Sequence, residues 1–277
     1  MKSFRVAICL SGQARTWKST HESFRRFFNA HTAVIGEDTY QVQVDYFCHT
    51  WKTNTWYRNY DTVPDGELIS EVICQTELDE LIKAYSPISY IIEDQIPRSS
   101  YRYFNSLFCS FSKSIFLKRE YELANGFEYD LVIKGRYDAI FSPKFRFGYH
   151  AVDPLVAYTS SITRLHRENY GINFDDVVFY GNSVTMDLIA DLYWEQIKRI
   201  SEKRVDDLSK RGIEHPGLRM GPGVALYNHM VATNIQPVVY HNDGSMQYAI
   251  VRERAAHLEV DEDFYKILDI FYTGKKY

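Results

Sequence analysis

The first strand and the turn that ends it restrict the fold more than any other feature of the chain. Phe4 to Leu10 is a nearly continuous apolar run that stops at Ser11-Gly12-Gln13. A strand without polar alternation is buried on both faces, the condition of a parallel sheet covered by helices. Thr16 to Ala30 follows with Phe24, Phe27 and Phe28 at near-helical spacing. Strand, tight turn and helix therefore come first, in that order.

The same alternation continues. Val42 to His49 (VQVDYFCH) is a second strand, ending in His49-Thr50-Trp51, and residues 52–66 read as a loop around Pro64, Asp65 and Gly66. The spacing of Leu78, Leu81 and Ile82 predicts a helix over Leu68 to Tyr85, stopped by Ser86-Pro87, with a third strand over Ile88 to Ile92. A long helix is expected over Tyr103 to Ala124, closed by Asn125-Gly126, and a fourth strand over Leu131 to Lys134. This β-α-β-α-β-α-β order predicts an α/β fold with a mostly parallel, Rossmann-like sheet flanked by helices.

Past Phe141 the pattern loosens. Strands are expected at Val156 to Thr159, Val177 to Tyr180, Val238 to Tyr240 and Tyr248 to Arg252. Helices are expected over Thr185 to Leu208, from Gly221-Pro222-Gly223 through Ala232, and over Asp263 to Tyr272. Without a repeat, a low-complexity tract or a linker, the reading is one domain over residues 1–277, with a less regular C-terminal half.

Composition removes several classes. Of 277 residues 45% are hydrophobic and 25% charged, which excludes wholesale disorder. No run approaches the length of a transmembrane helix, and Val6 to Leu10 is too short for a signal-peptide core, so the expectation is a cytoplasmic chain or one docked on a membrane from that side. A net charge of -4 argues against a nucleic-acid partner. Cys9, Cys48, Cys74 and Cys109 form no metal or redox spacing and read as free thiols. Aromatic residues make up 16% of the chain, most of them assigned to packing.

In open α/β sheets ligands bind beyond the carboxyl ends of the parallel strands. Four polar clusters fall at such ends: Ser11-Gly12-Gln13-Ala14-Arg15, His49-Thr50-Trp51, Arg136-Tyr137-Asp138 and Asp175-Asp176. The first can offer backbone N–H groups and the Arg15 fork to a phosphate, or can be an ordinary turn with a solvated Arg. It lacks the glycine pattern of a dinucleotide or Walker loop. Asp138, held at a strand end, can bind Mg²⁺ or Mn²⁺, or can pair with Arg136 in the loop. Trp51, Trp56 and Tyr137 lie where a ring could stack on a base or sugar. The histidines form no HxxxH or Cys/His group, which argues against zinc.

VAICLSGQARTW, VDYFCHTW, SFSKSIFLKREYELANGFEYDLVIKGRYDAIF and DDVVFYGNSVTMDLIADLY, in this order, resemble a group of glycosyltransferases from bacterial capsule and lipopolysaccharide gene clusters and from large phages and viruses. The resemblance covers most of residues 4 to 195. HPGLRMGPGVALYNHM is similar to a closing segment of such chains, with Gly217 where an acidic residue is usual.

That resemblance implies a GT-A fold, with residues 1–141 binding a nucleotide-sugar donor and residues 142–277 receiving a glycan or other hydroxyl acceptor. Arg136-Tyr137-Asp138 would correspond to the DxD-type motif, Asp138 holding Mn²⁺ or Mg²⁺ and Arg136 touching phosphate. Ser11, Gly12, Gln13, Arg15, His49 and Trp51 would surround the donor, and Lys113 would meet its diphosphate or serve as a plain helix lysine. Asp176, or else Asp175, would be the general base of an inverting transfer; a retaining enzyme would use it to orient the acceptor. His215, His229 and His241 are candidates for the late metal ligand of such folds. Two other readings are a phage-type enzyme acting on modified DNA bases and a nucleotide- or glycan-binding module without turnover.

Overall fold

A computed structural model of the chain describes residues 2–28, 32–57, 68–95, 103–141, 153–159, 162–164, 172–194, 222–239 and 248–250. Its centre is an eight-stranded sheet. The strands are β1 (Lys2–Gly12), β2 (Thr32–Ile35), β3 (Asp38–Trp51), β6 (Ser89–Glu93), β7 (Leu131–Gly135), β9 (Val156–Thr159), β12 (Phe179–Gly181) and β13 (Gln236–Val239). The order is β13-β9-β12-β7-β1-β3-β2, with β6 also paired to β3. Only β2 and β12 run against the others. The protein is thus an α/β chain with a mixed, mostly parallel sheet flanked by helices.

The period-2 geometry of strands explains how a continuous apolar sequence serves two faces. Val6, Ile8 and Leu10 of β1 and Leu131 and Ile133 of β7 point to one side, packed with Phe24 and Phe28 of α1 (Trp17–Phe28) and Leu78, Leu81 and Tyr85 of α2 (Gln75–Tyr85). Ala7, Cys9 and Val132 point to the other, against Phe108, Phe111 and Ile115 of α3 (Tyr103–Asn125) and Met186 and Ile189 of α4 (Ser183–Ala190). Leu226 and Met230 of α5 (Pro222–Ala232) join that second layer. Each fully buried side chain of this kind contributes about 1.5–3 kcal/mol.

Many of the aromatic residues go into these layers. Phe24, Phe28 and Phe141 meet at centroid distances of 4.6–5.6 Å, and Tyr85 and Tyr137 at 5.7 Å. Gly135 admits the first group: a Cβ there would lie 2.8 Å from the Phe24 ring and 3.1 Å from Leu10.

Several boundaries differ from the sequence expectation. Residues 52–66 are not wholly loop: β4 (Thr53–Tyr57) pairs antiparallel with β5 (Leu68–Val72). The helix expected from Leu68 begins only at Gln75, after Cys74 in extended conformation. The cause is the β-branched and aromatic content of TNTWY and the β-branched residues of LISEV, which favour strand as far as Val72, while the helical spacing of Leu78, Leu81 and Ile82 is kept in α2. The strand expected from Val177 starts at Phe179. The short strands β2, β10 (Ile162–Arg164) and β11 (Ile172–Phe174) carry too few residues to show a period. β8 (Ala139–Phe141) pairs with β14 (Tyr248–Ile250), outside the main sheet. The long helix ends as expected, with Gly126 N–H bonded to Glu122 O at 2.8 Å. The helical expectation beyond 194 within Thr185 to Leu208, and that over Asp263 to Tyr272, lie outside the described residues.

No helix among the described residues is long and apolar enough to cross a membrane.

Candidate functional site

The chain passes from β1 to β3 and outward to β6, then returns to lay β7 on the opposite side of β1. Strand order therefore reverses between β1 and β7, the switch point at which open α/β sheets leave a crevice for ligands. In register, Leu10 lies beside Gly135, Gly12 beside Thr50, and Trp51 beside Glu93. The carboxyl ends of β1, β3, β6 and β7 thus share one edge. Because β12 is antiparallel, with Phe179 beside Lys134, Asp175 and Asp176 reach that edge from the other direction.

Gly12 has φ +112, a region that L side chains rarely adopt, and so frees the chain to turn off β1. Its N–H donates to Ser110 Oγ at 2.6 Å, and its carbonyl accepts from Thr50 Oγ1 at 2.9 Å. Ser110 Oγ lies 2.7 Å from His49 Nδ1, and His49 Nε2 lies 3.1 Å from Glu93 Oε1. Lys113 Nζ donates to the same Glu93 oxygen. Arg15 Nε donates to Gln13 Oε1 at 2.5 Å, and Gln13 Nε2 to Gln95 Oε1 at 3.1 Å, so the turn after β1 is tied to the end of β6. Ser11 is buried beside His49 in the strand pairing.

Electrostatics fixes the proton positions in this cluster. Hydrogen bonds from His49 and Lys113 hold Glu93 down at about 2, burial working the other way. Burial lowers His49, so the ring is neutral near pH 7. An ionised Glu93 can only accept, so His49 Nε2 carries the proton and Nδ1 accepts the Ser110 hydroxyl.

The second cluster surrounds Lys134, a lysine wholly buried in β7. Its ammonium donates to the carbonyls of Asp176 and Val177, the latter at 3.1 Å. Burial pulls it down to about 8, the carboxylates of Asp176, Asp175 and Asp138 opposing that shift and Arg136 adding to it. Arg136 grips Asp138 with two parallel bonds, Nε to Oδ1 and Nη2 to Oδ2, each 2.7 Å. Asp175 Oδ1 accepts the Val177 N–H at 3.0 Å, which holds the turn into β12. The Asp176 side chain is half-buried and carries no such bond among the described residues.

The structure thus joins Gly12, Gln13, Arg15, His49 and Lys113 into one edge of polar groups and gathers Arg136, Asp138, Asp175 and Asp176 around Lys134. Trp51 and Tyr137 fall elsewhere: both are 1% exposed, Trp51 against the His49 ring and Tyr137 against Tyr85, so they are packing residues rather than stacking platforms. His229 is buried with Nε2 2.8 Å from the Leu188 carbonyl, a structural role. His215, His241 and the Trp56 side chain lie outside what is described.

As a metal ligand Asp138 does not fit this arrangement, since Arg136 occupies both of its oxygens. Among the described residues no three His, Cys, Asp or Glu side chains come together as a metal set.

Ser110, Glu93, Gln95 and Lys134 escape a reading of the sequence. A lone lysine inside LVIKG is a signal that could have flagged Lys134. Ser110 lies among other serines on α3 with nothing in the sequence to single it out.

The chain matches no protein-family model and no curated protein.

Proposed function

We propose that the chain is a glycosyltransferase of GT-A type, moving a sugar from a nucleotide-sugar donor to a hydroxyl of a glycan acceptor with inversion. The supporting observation is the switch point between β1 and β7, flanked by the Gly12 turn and by Arg136-Asp138, with Asp176 on the same edge. The donor diphosphate lies across that crevice, and Arg136 and Arg15 offset the charge that builds on it as it leaves. Asp176 takes the proton from the acceptor hydroxyl while that oxygen bonds to the anomeric carbon and the bond to the diphosphate oxygen breaks. The two-part plan of a parallel half and a mixed half around β12 agrees with the resemblance noted above.

Thermal-shift measurements with UDP-, GDP-, CMP- and ADP-sugars, each with and without Mn²⁺, test this reading. Stabilisation by one donor supports it and names the nucleotide. No response to any of the four would overturn it and favour a different ligand.

A further inference from the structure

Glu93 is the last residue of β6, and its carboxylate is used on one side only. Both the His49 imidazole and the Lys113 ammonium approach Oε1. Among the described residues Oε2 takes no hydrogen bond, although the side chain is 32% exposed and so opens to the edge. The backbone is fixed as well, its carbonyl accepting the Lys52 N–H at 2.8 Å. An ionised carboxylate clamped through one oxygen presents the other in a fixed direction, at little entropic cost to a ligand. Beside it the Lys113 side chain, 27% exposed, keeps ammonium donors beyond the one given to Glu93.

Position says what this pair faces. β6 stands two strands from β1, about 10 Å across the sheet edge. On the glycosyltransferase reading, on which this inference rests, the diphosphate lies between β1 and β7 and the reacting sugar turns toward Asp176, on the β12 side. The nucleoside must then run the other way, over β1 and β3 toward β6.

We infer that Glu93 and Lys113 read the nucleoside: Glu93 Oε2 accepts from a ribose hydroxyl or a base N–H, and Lys113 donates to a neighbouring oxygen or ring nitrogen. On this inference Lys113 meets the nucleoside rather than the diphosphate, because its partner Glu93 stands at the end of β6, two strands from β1.

Titration calorimetry with UDP, GDP, CDP, ADP and inorganic pyrophosphate on the wild type, Glu93→Gln and Lys113→Met separates the cases. The expected result is a loss of tenfold or more in affinity for the preferred nucleoside diphosphate in each variant, with pyrophosphate binding within about twofold of wild type. Repeating the titration with the 2′- and 3′-deoxynucleotides identifies the donor: a penalty that disappears with either assigns Glu93 to that ribose hydroxyl, and one that persists with both assigns it to the base. Equal losses for nucleotide and pyrophosphate, or unchanged nucleotide affinity in both variants, would overturn the inference and leave the glycosyltransferase reading standing. A wild type that binds none of the four nucleotides would overturn that reading first. Should Glu93→Gln fold poorly, Lys113→Met alone decides, since it leaves the His49–Glu93 contact in place.

Discussion

His49 Nε2 and Glu93 Oε1, 3.1 Å apart, join a wholly buried imidazole on β3 to a carboxylate at the open end of β6. Their protonation is mutually determined: Glu93 is held ionised to about pH 2, and the ring, neutral through burial, must turn its N–H toward it. The order then propagates inward through Ser110 to the Gly12 N–H, so the turn at the switch point is positioned from a group two strands away. A polar chain of this kind rigidifies only while every member is satisfied.

That dependence gives the first expected outcome. Glu93 has a folded pKa of about 2, below its ordinary 4.5, so the stability it contributes is present above pH 4.5 and is lost as pH falls toward 2. The partial exposure of the side chain limits the amount to about 1 kcal/mol. Denaturant melts of wild type and Glu93→Gln between pH 5 and 2.5 should converge by about that much as pH falls. Parallel curves would show that the His49–Glu93 contact carries no stability.

Ser110→Ala tests the inner part of the chain. It leaves the Gly12 N–H and His49 Nδ1 without their partner in a buried setting, at about 1–3 kcal/mol for such groups. Chemical denaturation should show a fall of that size. Hydrogen exchange at Gly12 should quicken more than at Val6 or Ile8, which keep their strand pairing. Uniform acceleration would mean that Ser110 supports only general packing.

How much of this was legible follows from what each signal needs. The parallel half was readable because β1 and β7 are apolar runs buried on both faces, and β3 and β6 carry shorter apolar stretches bounded by turn residues. The hairpin of β4 and β5 was hidden because Thr53 to Tyr57 is polar and aromatic at once, and such a segment looks like a loop until its partner is known. Strand-end position brought out Gly12, His49, Arg136 and Asp176 because that rule needs only the strands. Ser110 and Glu93 become meaningful only through contacts of 61 and 44 residues in sequence separation, which no local pattern records. Trp51 and Tyr137 misled for the opposite reason: Trp51 ends β3 and Tyr137 lies in the turn after β7, but both rings pack inward, on His49 and Tyr85.

Gly135 sets how closely α1 approaches the sheet. In Gly135→Ala the new Cβ meets the Phe24 ring at 2.8 Å and Leu10 at 3.1 Å, both deep in the core. Neither side chain has room to retreat, since Phe24 is already against Phe28 and Phe141. Overpacking of this kind costs about 1–3 kcal/mol. The melting temperature should fall accordingly, and Gly135→Ala combined with Phe24→Leu should recover part of the loss. No recovery would place the strain elsewhere.

Lys134 has the reverse pH signature to an ordinary surface lysine. Its folded pKa of about 8 lies below the 10.5 of the unfolded chain, so between those values the unfolded state binds more proton and stability rises with pH. Below pH 8 the buried ammonium is a constant penalty, offset in part by the carbonyls of Asp176 and Val177. Lys134→Met removes the titration, so the stability of wild type relative to this variant should climb between pH 8 and 10.5 by an amount on the order of a few kcal/mol. A flat difference across that range would show that Lys134 is not the buried titrating group.

On the proposed glycosyltransferase reading, Asp176→Asn separates catalysis from architecture. The carboxylate makes no backbone bond among the described residues, whereas Asp175 holds the Val177 N–H, so the isosteric change at Asp176 should lower stability only through its lost attraction to the Lys134 ammonium. Above pH 8, where Lys134 is neutral, it should leave the melting temperature within about 1 °C. Loss of a general base lowers turnover by about 10²–10⁴-fold without a matching loss of donor affinity. Asp175→Asn keeps an Oδ1 acceptor for the Val177 N–H and loses only its charge, so it should lower stability by less than about 1 kcal/mol while any transfer activity follows the fraction folded. The pair is decisive because the two residues are adjacent and of one type: transfer that survives in Asp176→Asn and vanishes in folded Asp175→Asn would exchange their roles, and transfer unaffected by either would move the base off this edge.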